Sequence, residues 1–355
     1  MSRAALEALV RDGEVIGRDH GWAGAKLAGA DLSGAIMEGA NFSNADLRGA
    51  NFREAVLTGA RFDDADLSGA DFAQASFSDC SLTRARLLHA KAPLWNAIGC
   101  SLRGALLAGS DLRIANIINC RLSRASFAEA DCSKARFAKC RTDGLDLSRA
   151  NCEGAVFLEA DLVQAQLAGT RFLHTVFMVS RFAGRSLQGV ALPSCLLMEC
   201  DLSGCDLSGC DLTQANLAKA KLAGARLEGA RLAKAILMEA ELPRSLLRGA
   251  ELSSAILSGA DVTEADLTGA RLYQAICVGL KAPRARLAQC DLTYADLSHA
   301  DLTGADLAGA TLTRANLHEV REDGARMPDR RAALPPDPER RQAELWQRRW
   351  TGAGA

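Results

Sequence analysis

The chain has 355 residues, 48% of them hydrophobic and only 5% aromatic. Its formal net charge is −1, which excludes a strong overall field that would attract nucleic acid or acidic lipid. No apolar run is long enough to span a membrane, and charged residues interrupt the first eleven residues, where a signal peptide would be continuously apolar. These features predict a cytoplasmic protein with a narrow interior of small side chains.

The first segment, residues 1–24, is predicted to form an N-terminal helical cap. Ser2 is a suitable N-cap residue, apolar residues follow at helical spacing, and Asp12-Gly13 is a typical stop signal. The repeat that follows needs its open end covered. We therefore expect this helix, together with Trp22, to cover it.

A five-residue repeat runs from residue 25 to residue 327 without a change of phase. Counted from Ala25, 41 of the 61 first positions are Ala and 9 are Cys, while 49 of the 61 third positions are Leu or Phe. Residues two apart in an extended chain point to the same side. The first and third positions should therefore face the interior, where small and large side chains alternate, and the second position should face solvent.

Glycine indicates how the repeats are grouped. It recurs at fifth positions that are separated by multiples of 20, namely Gly29, Gly49, Gly69, Gly109, Gly169, Gly189, Gly209, Gly229, Gly249, Gly269 and Gly309. One corner of each coil is therefore predicted to need glycine for a positive φ. Four pentapeptides should form one coil of 20 residues, which gives about 15 coils in the repeat.

The tandem motif A-(D/N)-L-x-x, as in Ala30-Asp31-Leu32 and Ala305-Asp306-Leu307, resembles the pentapeptide-repeat protein family. The resemblance implies an all-β fold, a right-handed four-sided parallel β-helix, across residues 25–327. Members of that family include DNA-mimicking topoisomerase-binding proteins, secretion-associated proteins and many of unknown role. The resemblance therefore implies the fold and leaves the function open.

Besides a milder departure at Lys281-Ala282-Pro283, two windows depart from the repeat. In the first, Trp95 occupies a first position and Ala92 and Ala97 occupy the neighbouring third positions, so we expect a bulge there. In the second, residues 170–190 place Arg185 at an inward position. Because an unpaired buried guanidinium is very costly, the backbone should turn this side chain out to solvent. The second window predicts either a junction between two lobes or a kink.

The last segment, residues 328–355, is predicted to be a Pro- and Arg-rich linker followed by a helix. Asp337 is the expected N-cap and Pro338 the first helical residue. Trp346 and Trp350 share one face of this helix. Two interpretations stay open: the helix caps the last coil, or it docks on a partner with these two tryptophans as anchors.

Residues with reactive side chains do not form a recognisable site in the sequence. All 12 cysteines fall on first or third positions and should act as buried, small apolar fillers. His299 and His318 are predicted neighbours on adjacent coils, but the sequence gives them no third ligand. We therefore predict no catalytic residue, no metal site and no cofactor, and a protein that is not an enzyme.

One outward surface is unusual. In the column of second positions that starts at Ile36, 8 of 15 residues are large aliphatics, and the fourth positions beside it are similar. Such a patch is typical of an interface, although a preference of strands for β-branched residues is an alternative explanation. We call this surface the aliphatic face. The residues predicted to bind protein are Val156, Leu158, Val176, Met178, Leu196, Met198, Ile236 and Met238.

The sequence thus predicts a non-enzymatic scaffold or adaptor that binds another protein, or a second copy of itself, through the aliphatic face. It predicts neither a small-molecule substrate nor nucleic acid as a partner. The N-terminal helix that leads into Leu27–Leu32 resembles the start of pentapeptide-repeat segments associated with type VI secretion. The alternative function is topoisomerase binding by DNA mimicry, which the balance of 31 basic and 33 acidic residues between positions 25 and 320 disfavours.

Overall fold

The computed structural model describes residues 2–335 and 337–351, with side chains as far as Glu344. This part of the chain begins with helix α1 (Arg3–Arg11) and ends with helix α2 (Pro338–Thr351). The hydroxyl of Ser2 accepts the Ala5 N–H at 3.3 Å, and the carboxylate of Asp337 accepts the Arg340 N–H at 3.0 Å. Both predicted helices and both predicted N-caps are therefore confirmed.

Eight short strands form one parallel sheet in chain order. They are β1 (Ile36–Glu38), β2 (Val56–Thr58), β3 (Ser76–Ser78), β4 (Asn96–Ile98), β5 (Asn116–Ile118), β6 (Arg136–Ala138), β7 (Val156–Leu158) and β8 (Val176–Met178). Each strand pairs with residues 20 positions further along, as Ile36 does with Val56. The predicted all-β solenoid with 20-residue coils and a helix at each end is confirmed.

The continuous sheet is shorter than the predicted run of about 15 coils. Its eight strands make seven coil-to-coil steps. Elsewhere the coils pair through single parallel bridges with the same spacing, such as Ile236 with Ile256. In both regions a bend in every pentapeptide leaves only one to three residues extended at a time.

The chain divides into two compact units. The first comprises Met1–Ala183 and Gly189–Asp201, and the second comprises Gly184–Gln188 and Leu202–Ala355. All eight strands lie in the first unit. In its described residues, the second unit is built from single bridges and turns and ends in α2.

The interior of each unit consists of first and third positions, as predicted. In the first unit the Phe side chains stack on one another across coils, with ring centroids of Phe137 and Phe157 4.9 Å apart and those of Phe157 and Phe177 5.3 Å apart. Most third positions of the second unit are fully buried leucines. Each such side chain contributes about 1.5–3 kcal/mol through the hydrophobic effect.

The window around Trp95 is regular, so the predicted bulge is wrong. Lys91 pairs with residues of both neighbouring coils, and Trp95 is fully buried with its ring 5.4 Å from that of Phe77. The physical reason is a compensation of volume. Because Ala92 and Ala97 replace the usual Leu or Phe at the adjoining third positions, the large indole fits without displacing the backbone.

The spacing of glycine had suggested that only one corner of each coil has a positive φ. The structure shows positive φ angles at the other corners as well. Asn44, Gly49, Glu54 and Gly59 are four successive fifth positions, and all have φ between 58° and 64°. The same conformation recurs at nearly every pentapeptide of the repeat. Each turn therefore uses a left-handed residue at its fifth position, where glycine lowers the cost but is not required.

The sequence had suggested that the Arg185 side chain turns out to solvent. In the structure Arg185 is half-buried. Loss of hydration lowers the pKa of its guanidinium. The side chain is therefore accommodated partly inside the coil at this irregular first position.

The end of the second unit is covered by the linker and α2. The Leu334 N–H donates to the Ala315 carbonyl at 2.9 Å, and the Arg341 guanidinium lies 3.0 Å from the Glu319 carboxylate. These contacts favour the capping interpretation. The backbones of Trp346 and Trp350 lie in α2, but their side chains are outside the described residues, so their role as anchors stays a prediction.

Across the described residues, neither α1 nor α2 has both the length and the apolar character that a membrane-crossing helix requires.

Candidate protein-binding face

Strands β7 and β8 carry the centre of the aliphatic face. Val156 lies opposite Val176, and Leu158 lies opposite Met178. Phe157 and the corresponding residue of β8 point inward between them and are fully buried. The alternation of the strand thus fixes the aliphatic side chains on the outside while phenylalanine anchors the strand from within.

The next coil of the first unit extends this surface. Val176 bridges to Leu196, and the Phe177 N–H donates to the Leu196 carbonyl at 2.7 Å. Adjacent coils are about 4.8 Å apart, so the side chains of three coils form a continuous surface. We call it the aliphatic patch, and it comprises Val156, Leu158, Val176, Met178, Leu196 and Met198.

The side chains of the aliphatic patch are in contact with solvent. Met178 is 39% exposed, and the other five are partly exposed. Two of the six side chains are flexible methionines, which makes the shape of this surface adaptable. The six side chains of the aliphatic patch therefore remain partly exposed to water in the folded protein.

Val179 extends the patch and was not recognised in the sequence. It is 50% exposed and has a φ of 53°, a left-handed conformation that β-branched residues rarely adopt. By the 20-residue register, the exposed Glu159 and Glu199 occupy the same turn position on the two neighbouring coils. The signal in the sequence was an aliphatic residue at a fifth position, where glycine or a polar residue is usual.

The second unit carries a similar but separate feature. Ile236 pairs with Ile256, and Met238 two residues along is 43% exposed. The predicted face residues Ile236 and Met238 thus lie at outward positions of that unit.

Aliphatic residues are not required at this position of the strands. In β3 to β6, the position equivalent to Val156 is held by serine, asparagine or arginine, and these strands pair as completely as β7 does. Ile236, Ile256 and Ile276 form only single bridges. The ladder therefore forms with polar residues in β3 to β6 and with aliphatic residues in β1, β2, β7 and β8, so it does not require an aliphatic residue at this position.

All 12 cysteines are buried, which confirms the predicted inward register. The Cys200 thiol donates to the Phe177 carbonyl at 3.1 Å. Burial raises the pKa of Cys195, Cys200, Cys277 and Cys290 to about 12. Since the thiolate is the reactive form, these four thiols should be unreactive at neutral pH.

We therefore expect an aqueous thiol reagent to label the native protein very slowly at pH 8 and the denatured protein completely. The raised pKa keeps Cys195, Cys200, Cys277 and Cys290 protonated at this pH, and the burial of all 12 cysteines excludes the reagent. Labelling followed by mass spectrometry checks this. Rapid modification of several cysteines without denaturant would contradict the buried register.

A comparison with protein families identifies the class. The family described as pentapeptide repeats matches with 8 copies, over residues 25–64, 60–92, 105–141, 144–178, 195–233, 235–274 and 284–319. The match and the 20-residue coils define a pentapeptide β-solenoid. The chain belongs to the pentapeptide repeat family. A comparison with curated protein sequences finds no match.

Solved structures of pentapeptide repeat proteins are similar to this chain. Rfr23 from the cyanobacterium Cyanothece 51142 is 31% identical, with a TM-score of 0.22, over 28% of this chain and 63% of its own length. HetL, involved in heterocyst differentiation regulation in Nostoc, is 24% identical, with a TM-score of 0.17, over 78% of this chain and 89% of its own. A trypsin-treated form of QnrB1, a plasmid-mediated fluoroquinolone resistance protein, is 21% identical, with a TM-score of 0.29, over 51% of this chain and 87% of its own length.

Proposed function

We propose that this protein is a non-enzymatic scaffold or adaptor that binds another protein through the aliphatic patch. The observation that carries the proposal is the exposed pair Met178 and Val179, at the centre of three apolar coils. Val179 keeps a left-handed conformation that costs about 1–2 kcal/mol for a residue with a Cβ atom. Because the left-handed turn recurs along the repeat and also occurs at the exposed Ile114, it is the position of Val179 beside Met178 and the other exposed apolar side chains that supports a role in binding.

The surroundings of the patch indicate the chemistry of the partner. Exposed carboxylates of Glu159 and Glu199 flank Val179. An apolar centre with an acidic rim is complementary to an apolar surface bordered by Lys or Arg. A second copy of the chain would bring the same carboxylates to the rim, so a different protein is the favoured partner.

DNA mimicry gains no support from the distribution of charge. Acidic residues of the repeat pair with Arg on the next coil, as Asp64 does with Arg84 at 2.6 Å and Glu264 with Arg284 at 2.6 Å. A surface that imitates DNA needs dense and uncompensated negative charge. The predicted link to type VI secretion rests on the sequence resemblance alone.

Sedimentation velocity tests the proposed function without any substitution. The fluorescently labelled chain is sedimented alone over a range of concentrations and then in an extract of its host. We expect a single small species alone and a larger species in the extract. Self-association at micromolar concentration would point to a second copy as the partner, and a single small species in both settings would contradict protein binding.

Replacing Val179 by Gly distinguishes the effect of this residue on stability from its effect on partner binding. We expect Val179→Gly to raise the free energy of unfolding by about 0.5–1 kcal/mol, because the relief of backbone strain exceeds the entropic cost of glycine. Its affinity for the partner should fall. The matched control is Ile114→Gly, since Ile114 has a φ of 60° and is 49% exposed. Chemical denaturation and partner binding are measured for both variants. Equal binding by the two variants would show that Val179 is not part of the interface.

A further inference from the structure

Three side chains that share metal-binding chemistry meet at the end of the second unit. His299 and His318 belong to the last coils, and Glu344 belongs to α2. The His299 Nε2 lies 3.4 Å from Glu344 Oε1, and the His318 Nε2 lies 3.1 Å from Glu344 Oε2. One ligand atom from each residue lies within 4.8 Å of the other two.

The solenoid fixes the two histidines relative to each other. The His299 N–H donates to the His318 carbonyl at 2.8 Å, so their backbones pair across adjacent coils. Their rings are 5.5 Å apart and almost perpendicular, at 88°. This arrangement follows from coil register and does not depend on the helix.

Contacts other than the histidines hold the helix in place. Arg341 pairs with Glu319 at 3.0 Å, and the Arg314 N–H donates to the Ala332 carbonyl at 2.6 Å in the linker. Glu344 follows Arg341 by three residues and therefore lies on the same side of α2. Arg340 also approaches Glu344 Oε1, at 3.1 Å, which orients the carboxylate.

The donor set suits a divalent transition-metal ion. Two imidazole nitrogens and a carboxylate oxygen are common zinc ligands, with bonds of about 2.0–2.2 Å. Ligands on a tetrahedron of that size are about 3.3 Å apart. The Nε2 atoms of His299 and His318 lie 3.4 and 3.1 Å from the two different oxygens of Glu344, and one ligand atom from each residue lies within 4.8 Å of the other two. The side chain of His318 is only 6% exposed and those of His299 and Glu344 are 31% and 25% exposed. The site is thus partly shielded, and His318 also lines a cleft of about 1020 Å³ beside the linker and the start of α2.

We propose that His299, His318 and Glu344 bind one divalent transition-metal ion, with zinc as the representative, and that this ion fastens α2 to the last coils. Three protein ligands leave a fourth position for water. The site joins the repeat to the helix, so metal binding stabilises the closed end of the solenoid. This inference is independent of the aliphatic patch, which lies in the other unit.

The first test is zinc binding by the full native chain. Isothermal titration should show one equivalent of zinc, and His318→Ala and Glu344→Gln should each weaken binding by about tenfold or more. The matched control is His174→Ala, because His174 also lies at an outward turn position and has no place in the site. Binding that is absent, or unchanged in the two ligand variants, would overturn the proposal.

A second test separates a lost ligand from a displaced helix. Arg341→Ala removes the contact with Glu319 and leaves all three ligands in place, so we expect it to retain zinc binding within about threefold. The cobalt(II) form of the wild type should show the intense visible absorption of a four-coordinate ion, and Glu344→Gln should lose it. Proteolysis at the linker should slow when zinc is added and return to its original rate with chelator. Equal proteolysis with and without zinc would show that the ion does not hold α2.

Discussion

Trp95→Ala should lower the free energy of unfolding of the first unit by about 3–5 kcal/mol, the range for truncating a buried Trp to Ala. Trp95 is fully buried, and its ring contacts those of Phe72 and Phe77 at 6.0 and 5.4 Å. The neighbouring third positions hold Ala92 and Ala97, whose methyl groups are too small to fill the space. The cavity should therefore persist, which places the loss at the upper end of the range.

The control is Trp95→Phe, which keeps an aromatic ring against Phe77. We expect it to cost less than about 1.5 kcal/mol, since most of the packing contacts are retained. Urea denaturation followed by circular dichroism measures both variants. A loss below about 1 kcal/mol for Trp95→Ala would show that the coil repacks around the smaller side chain. The small size of Ala92 and Ala97 would then not be a compensation for the volume of Trp95.

The largest effect on binding is expected from charge in the aliphatic patch. Met178→Asp together with Met198→Asp should weaken association with the partner by about 2–5 kcal/mol, because both carboxylates would be buried without partners in the interface. This corresponds to roughly 30-fold or more in the dissociation constant. Both side chains point outward, so the melting temperature should change little.

The matched control is Gln166→Asp together with Ala168→Asp. These residues are exposed on another face of the first unit, and the control adds the same two negative charges. We expect it to retain binding within about threefold. Equal losses in the two double variants would indicate a general effect of charge, and no loss in either would place the interface elsewhere.

The fold was predictable because the repeat is regular. The phase of Ala and Leu or Phe along residues 25–327 specified which side chains face inward, and the burial of those residues follows the phase closely. The details that failed were local. The prediction of a bulge at Trp95 was wrong because it considered only the size of the indole. It left out the space that the small side chains of Ala92 and Ala97 provide. The restriction of positive φ to one corner was wrong because polar residues such as Asn44 also adopt it.

The two candidate surfaces were only partly predictable. The column that contains Met178 could be read from the register, but the exposure and strained backbone of Val179 required coordinates. The third residue beside His299 and His318 could not be found at all. Glu344 lies 26 residues beyond His318, on a helix whose position depends on the path of the linker. Periodicity relates residues within the repeat and carries no information on a segment outside it.

Site-specific photo-crosslinking measures the central claim most directly. A photoreactive amino acid replaces Met178 in one version of the protein and Ala168 in another, and each is irradiated in host extract. The account predicts one discrete protein adduct from position 178, reduced by excess unlabelled wild type but not by the Met178→Asp and Met198→Asp variant, and none from position 168. Equal crosslinking from both positions, or none from position 178, would contradict a protein-binding role for the aliphatic patch.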